Sequence, residues 1–194
     1  MQALKEVISY FRFAKYKSSP GVYRATDRSE VNARLVGWSK DFESSGAAPV
    51  RAALLVAVIG ELANNSFDHN LGKWKDLPGC LVGIDVLNDR FRISIADRGQ
   101  GIANSLRRVK PGALNNDELL RVAFEERVSG RSPERRGNGL KFIRKNFIEH
   151  GGLSLVCLSS SAIYKLGDEL ELVRILSPIS DYAGTLTCID WSRS

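Results

Sequence analysis

The longest apolar run of the chain, from Val50 to Ala63, consists almost entirely of Ala, Leu, Val and Ile. Apolar residues on most faces of a helix predict that the surrounding protein covers them. The run leads directly into the polar segment Glu61-Leu-Ala-Asn-Asn-Ser-Phe-Asp-His-Asn70. Because a helix turns by about 100° per residue, four polar residues of this segment share one face: Glu61, Asn65, Asp68 and His69. They either cap a core helix or line a functional site.

Residues 1–49 are predicted to form an N-terminal extension that packs on the core. An aromatic-rich start, a breaker at Ser18-Ser-Pro-Gly21 and the apolar stretch from Val22 predict a strand or short helix, a turn and a strand. Asp27 or Ser29 is placed to cap a helix that runs to about Phe42. Its buried stripe is expected at helical spacing: Val31, Leu35, Trp38 and Phe42.

After the central helix the pattern changes to short apolar runs separated by turn residues. Residues 81–87 and 90–96, joined by Asn88-Asp89, predict a hairpin, and residues 153–158, 162–166, 169–176 and 184–191 predict further strands. A helix is expected from Gly137 to His150, and residues 103–136 are expected to form a mobile lid with one helix, from Asn116 to Glu126. This order predicts an α+β fold, a two-layer sandwich with a mixed, mostly antiparallel sheet and helices on one face.

Composition fits a single domain, residues 50–194, behind the extension. A chain of 194 residues with 43% hydrophobic content can build one core. Three isolated cysteines (Cys80, Cys157 and Cys188) lie in strand-like runs, which indicates buried thiols in a reducing compartment. No apolar run reaches the roughly 18 residues of a membrane span, and the N-terminus lacks the pattern of a signal peptide. The sequence therefore predicts a cytoplasmic protein without a membrane partner.

The net charge of +6 raises the question of nucleic acid. Many of the positive residues fall in or near the expected lid, between two glycine motifs: Arg107, Arg108, Lys110, Arg121, Arg127, Arg131, Arg135 and Arg136. That placement favours a triphosphate over a duplex, so nucleic acid is not the expected partner. The alternative is a solvated basic loop that binds nothing.

The two glycine motifs follow a strand and open a helix, respectively. Asp97-x-Gly99-x-Gly101 comes directly after the second strand of the hairpin, where glycines let the backbone approach a ligand. Gly137-x-Gly139-Leu140 begins a helix, whose N–H groups and positive dipole end suit phosphate. Each motif alone is weak, because such glycine patterns occur in many loops.

In order and context, four motifs resemble the boxes of the Bergerat-fold ATPases, the GHKL superfamily. They are Glu61-x-x-x-Asn65 on a helix, the two glycine motifs, and Gly184-Thr185 in a late strand. The superfamily comprises gyrase-type topoisomerases, the ninety-kilodalton heat-shock chaperone, histidine kinases and the mismatch-repair MutL proteins. The resemblance covers about residues 50 to 191 and implies ATP and Mg²⁺ as cofactors.

The resemblance also implies roles for individual residues. Asn65 would hold the magnesium ion, Asp97 would accept a hydrogen bond from the adenine amino group, and Thr185 would support that contact through a water. Glu61 stands at the general-base position, and its apolar neighbours predict a desolvated carboxylate. The remaining predicted nucleotide contacts are Asp68, His69, Gly99, Gly101, Ile102, Arg136, Gly137, Asn138, Gly139 and Leu140. For His69, a phosphate-side contact and a hydrogen-bonded structural role both stay open.

Two classes of function follow from the resemblance. Residues 1–60 contain no His to serve as a phosphoacceptor, and the chain is too short for a transducer domain. Its size is similar to the stand-alone anti-sigma-factor serine kinases, which implies phosphorylation of a small, STAS-like partner. The alternative is a switch in which ATP orders the lid and the N-terminal segment to set partner binding or homodimer formation, and hydrolysis is slow. A degenerate domain without ATP is disfavoured, because every motif is intact.

Overall fold

The computed structural model describes residues 1–70, 72–108, 112, 115–126, 139–150, 153–167, 170–179 and 182–193. Seven helices and six strands lie along these parts of the chain, without strict alternation. They are α1 (Gln2–Phe13), β1 (Val22–Ala25), α2 (Arg28–Ser44), α3 (Pro49–Asn70), β2 (Cys80–Val86), β3 (Arg90–Asp97), α4 (Ile102–Arg107), α5 (Asn116–Glu125), α6 (Gly139–His150), β4 (Leu153–Ser159), β5 (Ala162–Gly167), α7 (Leu170–Leu176) and β6 (Thr185–Ser192).

One six-stranded sheet, in the order β1-β2-β3-β6-β4-β5, organises the fold. Every described strand pair is antiparallel, so the sheet that the sequence predicts as mixed has no described parallel pair. The last strand, β6, lies between β3 and β4. It therefore places Thr185 opposite Asp97 on one side and opposite Ser159 on the other.

The two faces of the sheet carry two separate clusters of buried side chains. One face packs against α2 to α6, and its largest members include Leu55, Phe91 and Trp191. This is the predicted helical layer, and the α+β sandwich is confirmed. The prediction of helices on one face implies that the other face is bare. It is not, because α1 and α7 cover part of it.

Helix α7 corrects a strand prediction. The sequence of residues 169–176 alternates between polar and apolar residues, as a strand does, but residues 170–176 are helical. Leu172 and Leu176, four residues apart, are buried against the second face of the sheet. Both periods fit this short segment, and packing on the sheet decides between them.

The N-terminal extension begins with a helix that the sheet holds at both ends. Leu4, Val7, Tyr10 and Phe11 are buried at helical spacing. At the start of α1, the Asp85 carboxylate on β2 accepts hydrogen bonds from the backbone N–H groups of Ala3 and Leu4. At its end, the Arg98 guanidinium donates to the carbonyl oxygens of Tyr10 and Phe11.

The predicted helix after Asp27 is confirmed as α2. The Asp27 carboxylate accepts a hydrogen bond from the Glu30 N–H at 3.1 Å, which satisfies a donor that the first turn leaves free. Val31, Trp38 and Phe42 are buried, and Leu35 packs at the edge of the core. The hairpin of β2 and β3 is also confirmed, as is helix α6 with its inward-facing Leu140, Ile143 and Phe147.

The long helix α3 is covered on fewer faces than its sequence predicts. Val50 is 69% exposed. By length and composition alone, α3 is the one described helix that could cross a membrane, although the sequence analysis found no apolar run of that length. This is weak evidence, because a core helix passes the same test and α3 packs on the sheet with 44% of its apolar window buried.

Candidate functional site

A pocket lies where the end of α3 meets the ends of β3 and β6 and the start of α4. Its empty volume is about 380 Å³, open solvent included. Residues from all of these elements and from α6 line it: Leu62, Asn65, Ser66, His69, Asn70, Ile95, Asp97, Gly101, Ile102, Leu140, Thr185 and Thr187. The pocket thus brings together predicted residues from three motifs and the start of β6.

Asp97 is the buried carboxylate of this pocket, only 4% exposed. Desolvation raises its pKa from 3.8 to about 6, although several hydrogen bonds act in the opposite direction. The Gly99 N–H donates to Oδ1 at 2.9 Å, and the Asn70 amide donates to the same oxygen at 3.0 Å. The site therefore holds a buried acceptor that is ionised at neutral pH.

The two glycines of the Asp97 motif are required by close contacts. A Cβ atom on Gly99 would overlap the side-chain amide of Asn70. Gly101 has a positive φ of 80°, and a Cβ atom there would lie 2.9 Å from Ser159 Oγ. These positions exclude larger residues whether or not a ligand is bound.

Asn65, the predicted magnesium ligand, lines the pocket with its amide uncommitted. Its Nδ2 atom is buried and has no hydrogen-bond partner among the described residues. The Nδ2 group is a hydrogen-bond donor, which suits a phosphate oxygen and not a cation, and the oxygen of the same amide would be the ligand for Mg²⁺, which often takes one or two protein ligands beside phosphates and waters. The residue present therefore fits the metal that the resemblance implies.

Glu61 is not among the lining residues, but it lies at the rim of the pocket, beside the start of α6, whose Leu140 lines the pocket. A Cβ atom on Gly139 would overlap the Glu61 carboxylate, so the two residues are in close contact. The sequence predicts a buried Glu61, but the residue is exposed. The prediction of a desolvated carboxylate is therefore wrong, and the carboxylate is open to an approaching molecule.

His69 and Asp68 differ in their relation to the pocket. His69 lines it, and its Nδ1 atom lies 3.0 Å from the Ser105 hydroxyl on α4. Asp68 is not among the lining residues, and its carboxylate forms an ion pair with Arg28 on α2. The geometry therefore gives Asp68 a contact between helices, and its predicted nucleotide contact stays a prediction.

The rotation of α3 explains this division. Measured from Glu61 at about 100° per residue, the lining residues of α3 range from about 40° (Asn65) to about 180° (Asn70). Glu61 itself and Asp68, at about −20°, fall at the edge of that arc. Sequence periodicity gives the angles between residues, but only the sheet decides which direction faces the pocket.

Four polar residues of the site were missed by sequence reasoning: Ser66, Asn70, Ser159 and Thr187. Asn70 contacts Asp97, as described above, and Ser159 at the end of β4 lies 3.1 Å from the Thr185 hydroxyl. The Ser159 hydroxyl also accepts a hydrogen bond from the Ile102 N–H at 2.8 Å, at the first turn of α4. Asn70 is the last residue of the polar segment that begins at Glu61, whereas nothing in the sequence around Ser159 points to a site.

The predicted lid is described only in part. Helix α5 confirms the predicted helix of residues 116–126, with a capping box at Asn115 and Glu118, and α4 is an additional helix. Arg136, Gly137 and Asn138 lie outside the described residues, as do five of the eight clustered positive residues. Of the other three, Arg107 donates to Asn116 Oδ1 at 2.7 Å and Arg108 to Gln100 Oε1 at 3.2 Å.

An open antiparallel sheet with a layer of helices, a buried aspartate at a strand end and an amide-bearing helix beside it defines a nucleotide-binding α+β protein. The family model of histidine kinase-, DNA gyrase B- and HSP90-like ATPases matches residues 51–183. The chain therefore belongs to this family, within the GHKL superfamily, and binds ATP. Among curated proteins, the comparison finds no match.

Proposed function

We propose that this protein is an ATP-dependent serine/threonine kinase that phosphorylates a small partner, as the stand-alone anti-sigma-factor kinases do. The observation that carries the proposal is the placement of two carboxylates at opposite ends of the site. Asp97 lies buried inside the pocket, whereas Glu61 lies exposed at the rim beside Gly139. A nucleotide whose base meets Asp97 has its phosphates near Glu61, where a hydroxyl of a second protein can approach.

In this mechanism, the chain binds the nucleotide at both ends. Asp97 accepts a hydrogen bond from the adenine amino group, and the N–H groups that open α6 contact the phosphates. Glu61 takes the proton from the incoming serine or threonine hydroxyl. The hydroxyl oxygen bonds to the γ-phosphorus, and the bond between the γ-phosphorus and the oxygen that leaves with ADP breaks. Asn65 would hold Mg²⁺, which neutralises phosphate charge.

A cytoplasmic location and a STAS-like acceptor belong to the same proposal. All three cysteines are buried and free, which is typical of a reducing compartment. The acceptor is inferred from the resemblance alone.

A second candidate function is an ATP-driven switch. The observation that favours it is the hydroxyl contact between Thr185 and Ser159, which continues to the Ile102 N–H at the start of α4. This connection joins the base end of the pocket to the beginning of the lid. In this case ATP sets lid position, partner binding or homodimer formation, and hydrolysis is slow.

The first experiment measures phosphate transfer and phosphate release together. The purified protein is incubated with Mg²⁺ and γ-labelled ATP, with and without a STAS-domain acceptor. Acid-stable label on the acceptor that disappears in Glu61→Gln supports the kinase. Glu43→Gln, an exposed Glu on α2 away from the pocket, is the matched control. Tight ATP binding without transfer, together with a change in mass by light scattering, supports the switch.

The metal assignment has its own test. Asn65→Ala should lose the part of ATP affinity that depends on Mg²⁺, while its affinity in the presence of a chelator stays that of the wild type. Calorimetric titration with and without Mg²⁺ measures both. An unchanged Mg²⁺ effect in the variant would remove Asn65 as the ligand.

A further inference from the structure

Asn70, at the last turn of α3, is a buried amide whose orientation is fixed by its partners. Its side chain is 2% exposed. Its Nδ2 group donates to the Ser66 carbonyl at 2.7 Å and to Asp97 Oδ1 at 3.0 Å. Its Oδ1 atom accepts a hydrogen bond from the Gln100 N–H at 3.0 Å. The nitrogen faces two acceptors and the oxygen faces a donor, so the opposite orientation would break all three hydrogen bonds.

These contacts commit one oxygen of Asp97. Oδ1 already accepts hydrogen bonds from Asn70 and from the Gly99 N–H, and hydrogen bonds from the Ser66 side chain and the Thr185 N–H to this carboxyl also act to lower its pKa. A proton on Oδ1 would oppose both donors, so a proton that binds this carboxyl goes to Oδ2. Asn70 also favours the ionised form, because a donor aimed at a carboxylate is a strong, charge-assisted contact.

We propose that Asn70 sets the base specificity of the pocket by holding Asp97 with Oδ1 occupied, so that Oδ2 meets the base as an acceptor. The inference rests on the proposed role of Asp97 in reading the base. Adenine offers an amino donor at its C6 position. A 6-oxopurine offers a carbonyl there, and two acceptors facing each other at a buried carboxylate are strongly disfavoured. Asn70 is thus a positioning residue that acts through Asp97.

The same arrangement makes the specificity depend on pH. Desolvation raises the pKa of Asp97 to about 6, so acidification turns Oδ2 into a donor, which suits a 6-oxopurine and no longer accepts from adenine. Five titratable or charged side chains lie around this carboxyl: Tyr10 on α1, His69 on α3, Cys80 on β2, Cys157 on β4 and Arg98 in its own loop.

Histidine is the residue type among these five whose charge ordinarily changes near neutral pH. Burial raises the pKa of Tyr10, Cys80 and Cys157, which therefore stay neutral in that range, and Arg98 stays charged and faces α1 and Asp76. Because ATP and ITP carry the same phosphates, an effect of His69 on the phosphates cancels in the ratio of their affinities.

The test is the ratio of ATP to ITP affinity, measured by calorimetric titration from pH 5 to 8. In the wild type, the ratio should favour ATP at pH 7.5 and fall as the pH passes through about 6. Asn70→Asp keeps the shape of the side chain but replaces the donor with a second carboxyl. In this variant the ratio of ATP to ITP affinity at pH 7.5 should fall about tenfold or more. The pH at which this ratio is halfway through its change should rise by about one unit or more, which is equivalent to a tenfold change.

Asn104→Asp is the matched control. Asn104 is exposed on α4 and donates to the Gln100 carbonyl at 2.9 Å, so the variant adds the same charge near the loop without touching Asp97. Its ratio should stay that of the wild type. Asn70→Ala, which removes the donor without adding charge, should move the ratio in the same direction as Asn70→Asp, and it serves if Asn70→Asp does not fold.

Three results would overturn the inference. A wild-type ratio that does not change with pH would contradict the titration of Oδ2. A ratio and midpoint that stay unchanged in a folded Asn70 variant, while Asp97→Asn alters the ratio, would show that Asp97 reads the base without Asn70. If Asp97→Asn leaves the ratio unchanged, the proposed role of Asp97 is wrong, and the inference fails with it.

Discussion

The inner end of the pocket and its rim are built in opposite ways. At the inner end, Asp97 is 4% exposed and accepts hydrogen bonds from Asn70 and Gly99. At the rim, Glu61 is exposed and lies against the opening of α6 at Gly139. Both residues are carboxylates, and among the described residues hydrogen bonds from Asn70 and Gly99 fix the position of Asp97.

This difference indicates a division of labour. A buried acceptor with a fixed orientation can discriminate between bases, because an unmatched partner cannot turn to water. An exposed carboxylate discriminates little, but it is free to meet a group delivered by a second protein. The inner end therefore suits recognition, and the rim suits reaction with a partner.

The largest expected effect comes from a substitution at the rim. Glu61→Gln should lower phosphate transfer to the partner by about 10²- to 10⁴-fold, the usual contribution of a general base. ATP affinity should change little, because Glu61 lies away from the base. Parallel transfer assays and calorimetric titrations check both. A proportional loss of binding and transfer would move Glu61 from chemistry to ligand binding.

The second test concerns the stability of the inner end. The pKa of Asp97 is raised from 3.8 to about 6, so its contribution to stability is fully present below about pH 4 and is lost as pH rises through about 6. Asp97→Asn removes the buried charge and keeps an oxygen for Asn70 and Gly99. The variant should gain free energy of unfolding at pH 7.5, by at most about 3 kcal/mol at about 1.4 kcal/mol per pKa unit.

Denaturant unfolding at pH 4, 5, 6 and 7.5 measures this gain. It should be smallest at pH 4 and level off above about pH 7. Asp41→Asn, which changes an exposed carboxylate on α2, is the control and should show no such dependence. A constant difference between wild type and Asp97→Asn at every pH would contradict the assignment of the shift to Asp97.

The sequence predicted the inner end better than the rim for a physical reason. Gly99 and Gly101 are imposed by local backbone geometry and close contacts, which leave a mark in the sequence. Asn70 meets Asp97 across 27 residues, and Ser159 meets Thr185 across 26 residues. Only the packing of α3 on the sheet reveals the first contact, and only the register of β4 and β6 reveals the second. The exposure of Glu61 and the direction of Asp68 depend on how α3 is rotated against the sheet, which periodicity cannot give.

A third test examines the contact between Gly99 and Asn70. Gly99→Ala should displace the Asn70 amide, because its Cβ atom overlaps that group, and overpacking of this kind costs about 1–3 kcal/mol. The ratio of ATP to ITP affinity should fall along with stability. Gly37→Ala, on α2 with open space around it, should be neutral or slightly stabilising. Unchanged stability and ratio in Gly99→Ala would mean that the amide has room to move.

The smallest expected effect lies just outside the rim. Arg28 and Asp68 form an ion pair between α2 and α3, and the Arg28 side chain is 43% exposed. Water screens such a pair, so Arg28→Ala should change the free energy of unfolding by about 0.5 kcal/mol or less. ATP affinity and phosphate transfer should be those of the wild type in both Arg28→Ala and Asp68→Asn. A clear loss of ATP affinity in Asp68→Asn alone would return Asp68 to the nucleotide site and extend the rim along α3, because the loss could not then be assigned to the ion pair.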